Sequence, residues 1–188
     1  MPGDTAHMKA RAATVLLVVG AVLGAGAATA SAGTLIAPVG ACAGQNRLEA
    51  SAAAQERAML CLVNYARTES GLAALEADPA LEASAREKTR DILRCDSFSH
   101  FACGREFSYW IRANGYMEAE CWRAGENLAY GTGSLSTVRA VFRGWMRSPD
   151  HWANILGAFS QTGLDVATGT LEGFAGTRIW TQHFGLHC

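Results

Sequence analysis

The chain has 188 residues, 49% apolar and 18% charged, which is the balance of a globular protein and not of a disordered tail. Sixteen basic residues face seventeen acidic ones, so there is no cationic excess to neutralise nucleic-acid phosphates. The length suits one domain behind a leader.

Residues 1–32 read as an export signal. Lys9 and Arg11 supply the positive start, and Met8 before them is an alternative initiator. Ala12 to Ala30 is apolar and small, and Ala30-Ser31-Ala32 offers small residues at a cleavage site. An uncleaved anchor is the rival, but the run is diluted by Gly and Ala. A lipobox at Val39-Gly40-Ala41-Cys42 lies too far from the apolar core and would leave an odd number of cysteines. Cleavage after Ala32 is therefore expected, giving a secreted, extracellular chain with no stable membrane span. What remains is long enough to bury a real core.

Residues 33–50 lack periodicity and read as a loose arm, pinned through Cys42. The domain proper is expected over 51–188. Ser51 is placed to cap a first helix, with Ala58, Met59, Leu62, Val63 and Ala66 at helical spacing and Gly71 closing it. Asp78-Pro79 opens a second helix, Asp as N-cap and Pro at the first turn. Its apolar side carries Leu81, Ala85, Ile92 and Leu93.

Cys95 to Gly104 reads as a polar loop containing Ser99-His100. Phe107, Trp110 and Ile111 suggest a short third helix, stopped by Asn114-Gly115. The Gly-punctuated stretch 121–133 reads as a loop. Ser136 is a candidate cap for a fourth helix through Val138, Val141, Phe142 and Trp145. Pro149 breaks that helix, and a brief turn follows through His151 and Ile155. Strands are expected at 161–167 and 178–184, joined by a Gly- and Ala-rich connection over 168–177. Helices first and strands later suggest an α+β sandwich.

Familiar catalytic motifs are absent: no Walker loop, no His-Glu-x-x-His, no Gly-x-Ser-x-Gly and no Cys-x-x-Cys. The six cysteines, Cys42, Cys61, Cys95, Cys103, Cys121 and Cys188, are even in number and suit disulfides in an exported chain. Six allow fifteen pairings, so connectivity stays open at this point. Cys95 with Cys103, Cys121 with Cys188 and Cys42 with Cys61 is one plausible set. The five tryptophans suit core packing, with a ligand groove as the alternative.

Five segments then occur in order: Leu62-Val63-Asn64-Tyr65-Ala66-Arg67, Ser99-His100, Gly125-Glu126-Asn127-Leu128-Ala129, the run from Trp145 to Leu156, and Thr181-Gln182-His183-Phe184-Gly185. Together they resemble the CAP superfamily, also called SCP-like: cysteine-rich secretory proteins, antigen 5 and pathogenesis-related proteins, with a bacterial extracellular branch. The resemblance implies an α-β-α sandwich with a central antiparallel sheet and a cleft where histidines and acids converge. His100 matches the first histidine, Glu126 the acid of Gly-Glu-Asn and His151 the second histidine. The second acid of the eukaryotic pattern is replaced by Ser148, and Asp150 is the nearest acidic substitute.

Two neutral imidazoles and a carboxylate suit a divalent metal such as zinc, with His100 and His151 as ligands. The same trio suits acid–base work, Glu126 fixing one imidazole's tautomer. Glu126 and Asn127 are equally suited to a structural role, and His183 and His187 are read as structural. A binding module for a lipid, a sterol or a cell-surface partner ranks first among functions, ahead of a metal-dependent or metal-regulated hydrolase and of a stress-related scaffold. An apolar ligand calls for a groove lined by residues such as Phe142, Trp145 or Trp152.

Overall fold

The computed structural model describes residues 35–188. The expected export signal lies outside the described residues. Among those described, no helix is long and apolar enough to cross a membrane.

Helix α1 spans Ala52–Glu69, with the Ser51 side chain accepting from the Ala54 amide. After it comes a two-residue strand, β1, Glu76–Ala77. Helix α2 spans Pro79–Arg94, and Asp78 caps it by accepting from the amides of Ala80 and Leu81. Helix α3 is short, Ser108–Ala113, and the left-handed Gly115 ends its turn. Strand β2 runs Trp122–Gly131, helix α4 Val138–Arg147 and helix α5 Pro149–Ile155. A long hairpin closes the chain: β3 Gln161–Leu171 and β4 Phe174–His187.

The sheet order is β1-β3-β4-β2. The three long strands are antiparallel, and β1 adds a short parallel pair at Gln161 and Thr162. Side chains alternate across the sheet and build two layers of core. Val166, Trp180 and Phe184 pack against α1 and α4, with Leu62, Val141, Phe142 and Trp145. Leu128, Leu171 and Ile179 face the other way and meet Ile92 of α2. The result is the expected α-β-α sandwich. Its layers approach closely at Gly163, where a Cβ would sit 2.0 Å from the Leu81 carbonyl carbon. Only glycine lets α2 lie that near the sheet.

Four expectations are corrected. Residues 121–133 are not a loop, because most of the stretch is β2. Its glycines mark close approach, since a Cβ at Gly125 would meet the Asn154 and Phe159 side chains at 3.1 and 3.2 Å. The hairpin is longer than expected, with Glu172 and Gly173 both at positive φ in a tight turn, so 168–177 is mostly strand. Thr137, not Ser136, caps α4; the Thr137 hydroxyl accepts from Ala140, while Ser136 donates to Gly133. The arm is irregular but not loose. Leu35, Ala37, Cys42 and Gln45 are buried, and Arg139 donates to Ala37 and to Gln45.

All six cysteines are paired, as Cys42–Cys61, Cys95–Cys103 and Cys121–Cys188. They tie the arm to α1, close the loop that carries His100, and join the start of β2 to the C-terminus.

Candidate functional site

Strand β2 lies at one border of the sheet, so its outer edge faces no strand. Helices α4 and α5 cover part of that edge. The Trp145 indole donates to the Leu128 carbonyl at 3.0 Å, and Asn154 donates to the Glu126 carbonyl at 3.2 Å. The 96–104 loop approaches the same strand from the other face. The candidate site sits where these elements meet.

Glu126 points to the α2 face and is buried, its side chain 1% exposed. Its Oε1 accepts from His100 Nδ1 at 2.5 Å, and its Oε2 from His183 Nε2 at 2.9 Å. Lys88 Nζ lies 3.9 Å from Oε1 and donates to the His100 carbonyl at 2.6 Å. Burial alone would raise the Glu126 carboxyl. Hydrogen bonds from both imidazoles and the charges of His183 and Lys88 outweigh it and hold the group below its ordinary value. Burial in turn lowers the Lys88 ammonium, opposed by Glu126 and Asp91.

His100 and Glu126 are therefore joined directly by a hydrogen bond. His151 makes no hydrogen bond to that pair. It enters from α5, which covers the β2 edge, and Asn127 donates to its carbonyl at 3.2 Å. Its ring centroid is 6.4 Å from that of Trp145, and its Nδ1 is buried without a partner. Burial first, then the charge of His100, hold the imidazole below its ordinary value, with Asp150 opposing. Asp150 itself is exposed in the first turn of α5. Asn127 is fully buried and also accepts from Asn154 at 2.9 Å, so its role is to fasten α5 to the strand.

The donor set for one metal ion is thin. Both Glu126 oxygens are committed to imidazole N–H groups, which leaves two imidazoles where a resident zinc takes three or four protein ligands. Among the described residues no group of three His, Cys, Asp or Glu side chains is arranged to hold an ion. Ser84, His183 and Glu126 form a hydrogen-bonded series, with Ser84 Oγ 2.6 Å from His183 Nδ1. Ser84 and His183 are both fully buried, so that series offers no reachable nucleophile.

A groove of about 340 Å³ runs along the β2 edge. Phe98, Leu128, Tyr130, Leu135, Val141 and Trp145 give it an apolar wall, and Ser148 and His151 stand in its lining. Trp145 lines it as expected. Phe142 is instead fully buried in the core, and Trp152 is exposed outside the groove. Of the other tryptophans, Trp180 is core and Trp110 donates to Asp91 at 2.7 Å.

Sequence reasoning missed Lys88 and Ser84 and set His183 aside. A signal for the first was present: Leu81, Ala85, Lys88 and Ile92 fall on one helical stripe, so a lysine occupies a core position.

An α-β-α sandwich with a His–Glu pair at the sheet border and a second histidine on a Pro-initiated helix is the arrangement of an SCP-type domain. The chain belongs to the CAP, cysteine-rich secretory protein family, whose model matches residues 60–184. It is 33% identical over 137 residues to the Bacillus subtilis protein YkwD, a match covering 71% of this chain and 48% of that protein. The chain thus spans about half the length of that relative. Among solved structures it is similar to an extracellular protein containing a SCP domain from Bacillus anthracis, at 22% identity and a TM-score of 0.58 over 71% of this chain and 40% of that one. It is also similar to an outer surface protein of Borrelia burgdorferi, at 20% identity and a TM-score of 0.57 over 69% and 90% of the two chains.

Proposed function

We propose that this protein is an exported binding module that takes an apolar or amphiphilic ligand, a lipid or sterol, in the groove along β2. The supporting observation is the groove's lining: six apolar or aromatic side chains with a half-buried histidine whose Nδ1 lacks a partner. Small-molecule sites are of this kind, apolar walls with few polar groups, and span roughly 300–1,000 Å³. A cleft of about 350 Å³ beside α1 is of similar size but is lined by Ala, Gly, Arg and Cys with no aromatic wall. Histidine-based hydrolysis is a weaker reading, because the ordered Ser–His–Glu series is sealed from solvent.

Gly144 gives a clean test. It lines the groove, and a Cβ there meets nothing within 4 Å. Gly144→Trp should fill the groove and leave the core intact. The probes are cis-parinaric acid and dehydroergosterol, followed by fluorescence. The wild type should bind at least one of them, and the variant should bind it at least tenfold more weakly with an unchanged melting temperature. Equal binding by both proteins, or no binding of either probe by the wild type, would overturn the proposal.

A further inference from the structure

We propose that Lys88 and His183 are positioning residues of this site: they hold Glu126 as an anion and so fix His100 as its Nδ1–H tautomer, with Nε2 left as a bare acceptor. The inference rests on reading His100 as a site residue, but it is measured without any ligand.

A donor and acceptor count carries it. An ionised carboxylate only accepts, so each ring nitrogen facing Glu126 must bring a hydrogen. His100 Nδ1 at 2.5 Å and His183 Nε2 at 2.9 Å occupy one oxygen each. The Ser84 hydroxyl, 2.6 Å from His183 Nδ1 and donating to the Leu81 carbonyl at 2.8 Å, holds the far side of that ring. Both His183 and Ser84 are fully buried, so this orientation is not exchanged with water. Lys88, 1% exposed, touches both members of the pair. Its ammonium donates to the His100 carbonyl at 2.6 Å, and it supplies the positive charge 3.9 Å from the oxygen that holds the His100 ring.

Without Lys88 that oxygen loses a cation in a place where water cannot replace it, and a shared or transferred proton becomes the cheaper state. His100 Nε2 would then take a proton from solvent while the Nδ1 proton passes to Glu126, leaving a neutral carboxyl that donates to Nδ1 and a ring in the Nε2–H tautomer. The His100 side chain is 50% exposed, so its Nε2 is the part of this network that solvent or a ligand meets. The chain thereby presents a hydrogen-bond acceptor of fixed direction to an incoming group. A neutral histidine without a partner would present a mixture of donor and acceptor.

Long-range proton–nitrogen NMR correlation spectra of the full exported domain report ring tautomers directly. The wild-type His100 should show the single Nδ1–H pattern at neutral pH. Lys88→Met should convert it to a mixed pattern with a visible Nε2–H form, Lys88→Arg should restore the single form, and His183→Gln, which keeps a donor toward Glu126, should retain it. A wild-type His100 that is Nε2–H or mixed overturns the proposal, even if Lys88→Met does not fold. So does a folded Lys88→Met protein whose His100 stays purely Nδ1–H. Neither result depends on the groove binding a ligand.

Discussion

Arg67 should be the single side chain that costs most to lose. It is buried at 2% exposure in α1, and its hydrogen-bond partners are all backbone carbonyls. Nε donates to Ala73 at 2.8 Å, Nη1 to Ile155 and Gly157 at 2.8 and 2.9 Å, and Nη2 to Phe159 at 2.8 Å. These contacts pin the turn after α1 and the segment leaving α5 to one planar fork. Hydrogen bonds from a charged donor contribute about 1.5–3 kcal/mol each. Water can reach Ala73 and part of the Gly157 turn, so roughly half of the four should be regained. Arg67→Ala is then expected to cost about 3–5 kcal/mol, a fall of about 10 °C in melting temperature for a domain of this size. Arg67→Lys should recover little, because one ammonium cannot span three loop carbonyls and the Ala73 turn. Urea unfolding followed by tryptophan fluorescence reads the loss directly. A cost below about 1 kcal/mol for Arg67→Ala, or full rescue by lysine, would refute this account of how α5 is held.

Other outcomes follow from the same contacts. The His151 imidazole is lowered in the fold, so between its folded value and the ordinary 6.5 the unfolded chain binds more protons; stability should fall as pH drops below 6.5, and His151→Phe should flatten that fall in thermal scans. Glu126 is also lowered, so its contribution is present above 4.5 and is lost as pH falls through the folded value; Glu126→Gln should remove that lower step. The Cys121–Cys188 bridge spans a sequence separation of 67, worth about 4 kcal/mol by chain entropy; thiol counting under denaturing, non-reducing conditions should find no free thiol, and the double serine variant should unfold at distinctly lower urea. Zinc titrated by calorimetry should bind only weakly, through two imidazoles, and nanomolar affinity would contradict the donor count at Glu126.

The helices were legible because their signals are local. Asp78-Pro79 and Ser51 cap as their side chains dictate, and Asn114-Gly115 stops α3. Strand β2 was hidden because two glycines and the polar Glu126-Asn127 pair break its alternation. Those residues are present because α4, α5 and the 133–136 turn press on the strand from outside, a tertiary cause that no window of sequence carries. The site was half legible. His100 and Glu126 belong to segments that stand out, but Lys88 and His183 join them from α2 and β4 only once the sheet has formed. His151 comes from α5, whose helix covers the sheet border, and it lines the groove there.

The central claim is that the β2 groove is the ligand site. Backbone amide NMR titration with dehydroergosterol and with cis-parinaric acid addresses it most directly. The account predicts that shifts cluster at Leu128–Tyr130, Ala140–Ser148 and His151. Shifts centred instead on the cleft between α1 and α2, lined by Glu56, Arg57, Glu82 and Arg86, would contradict it.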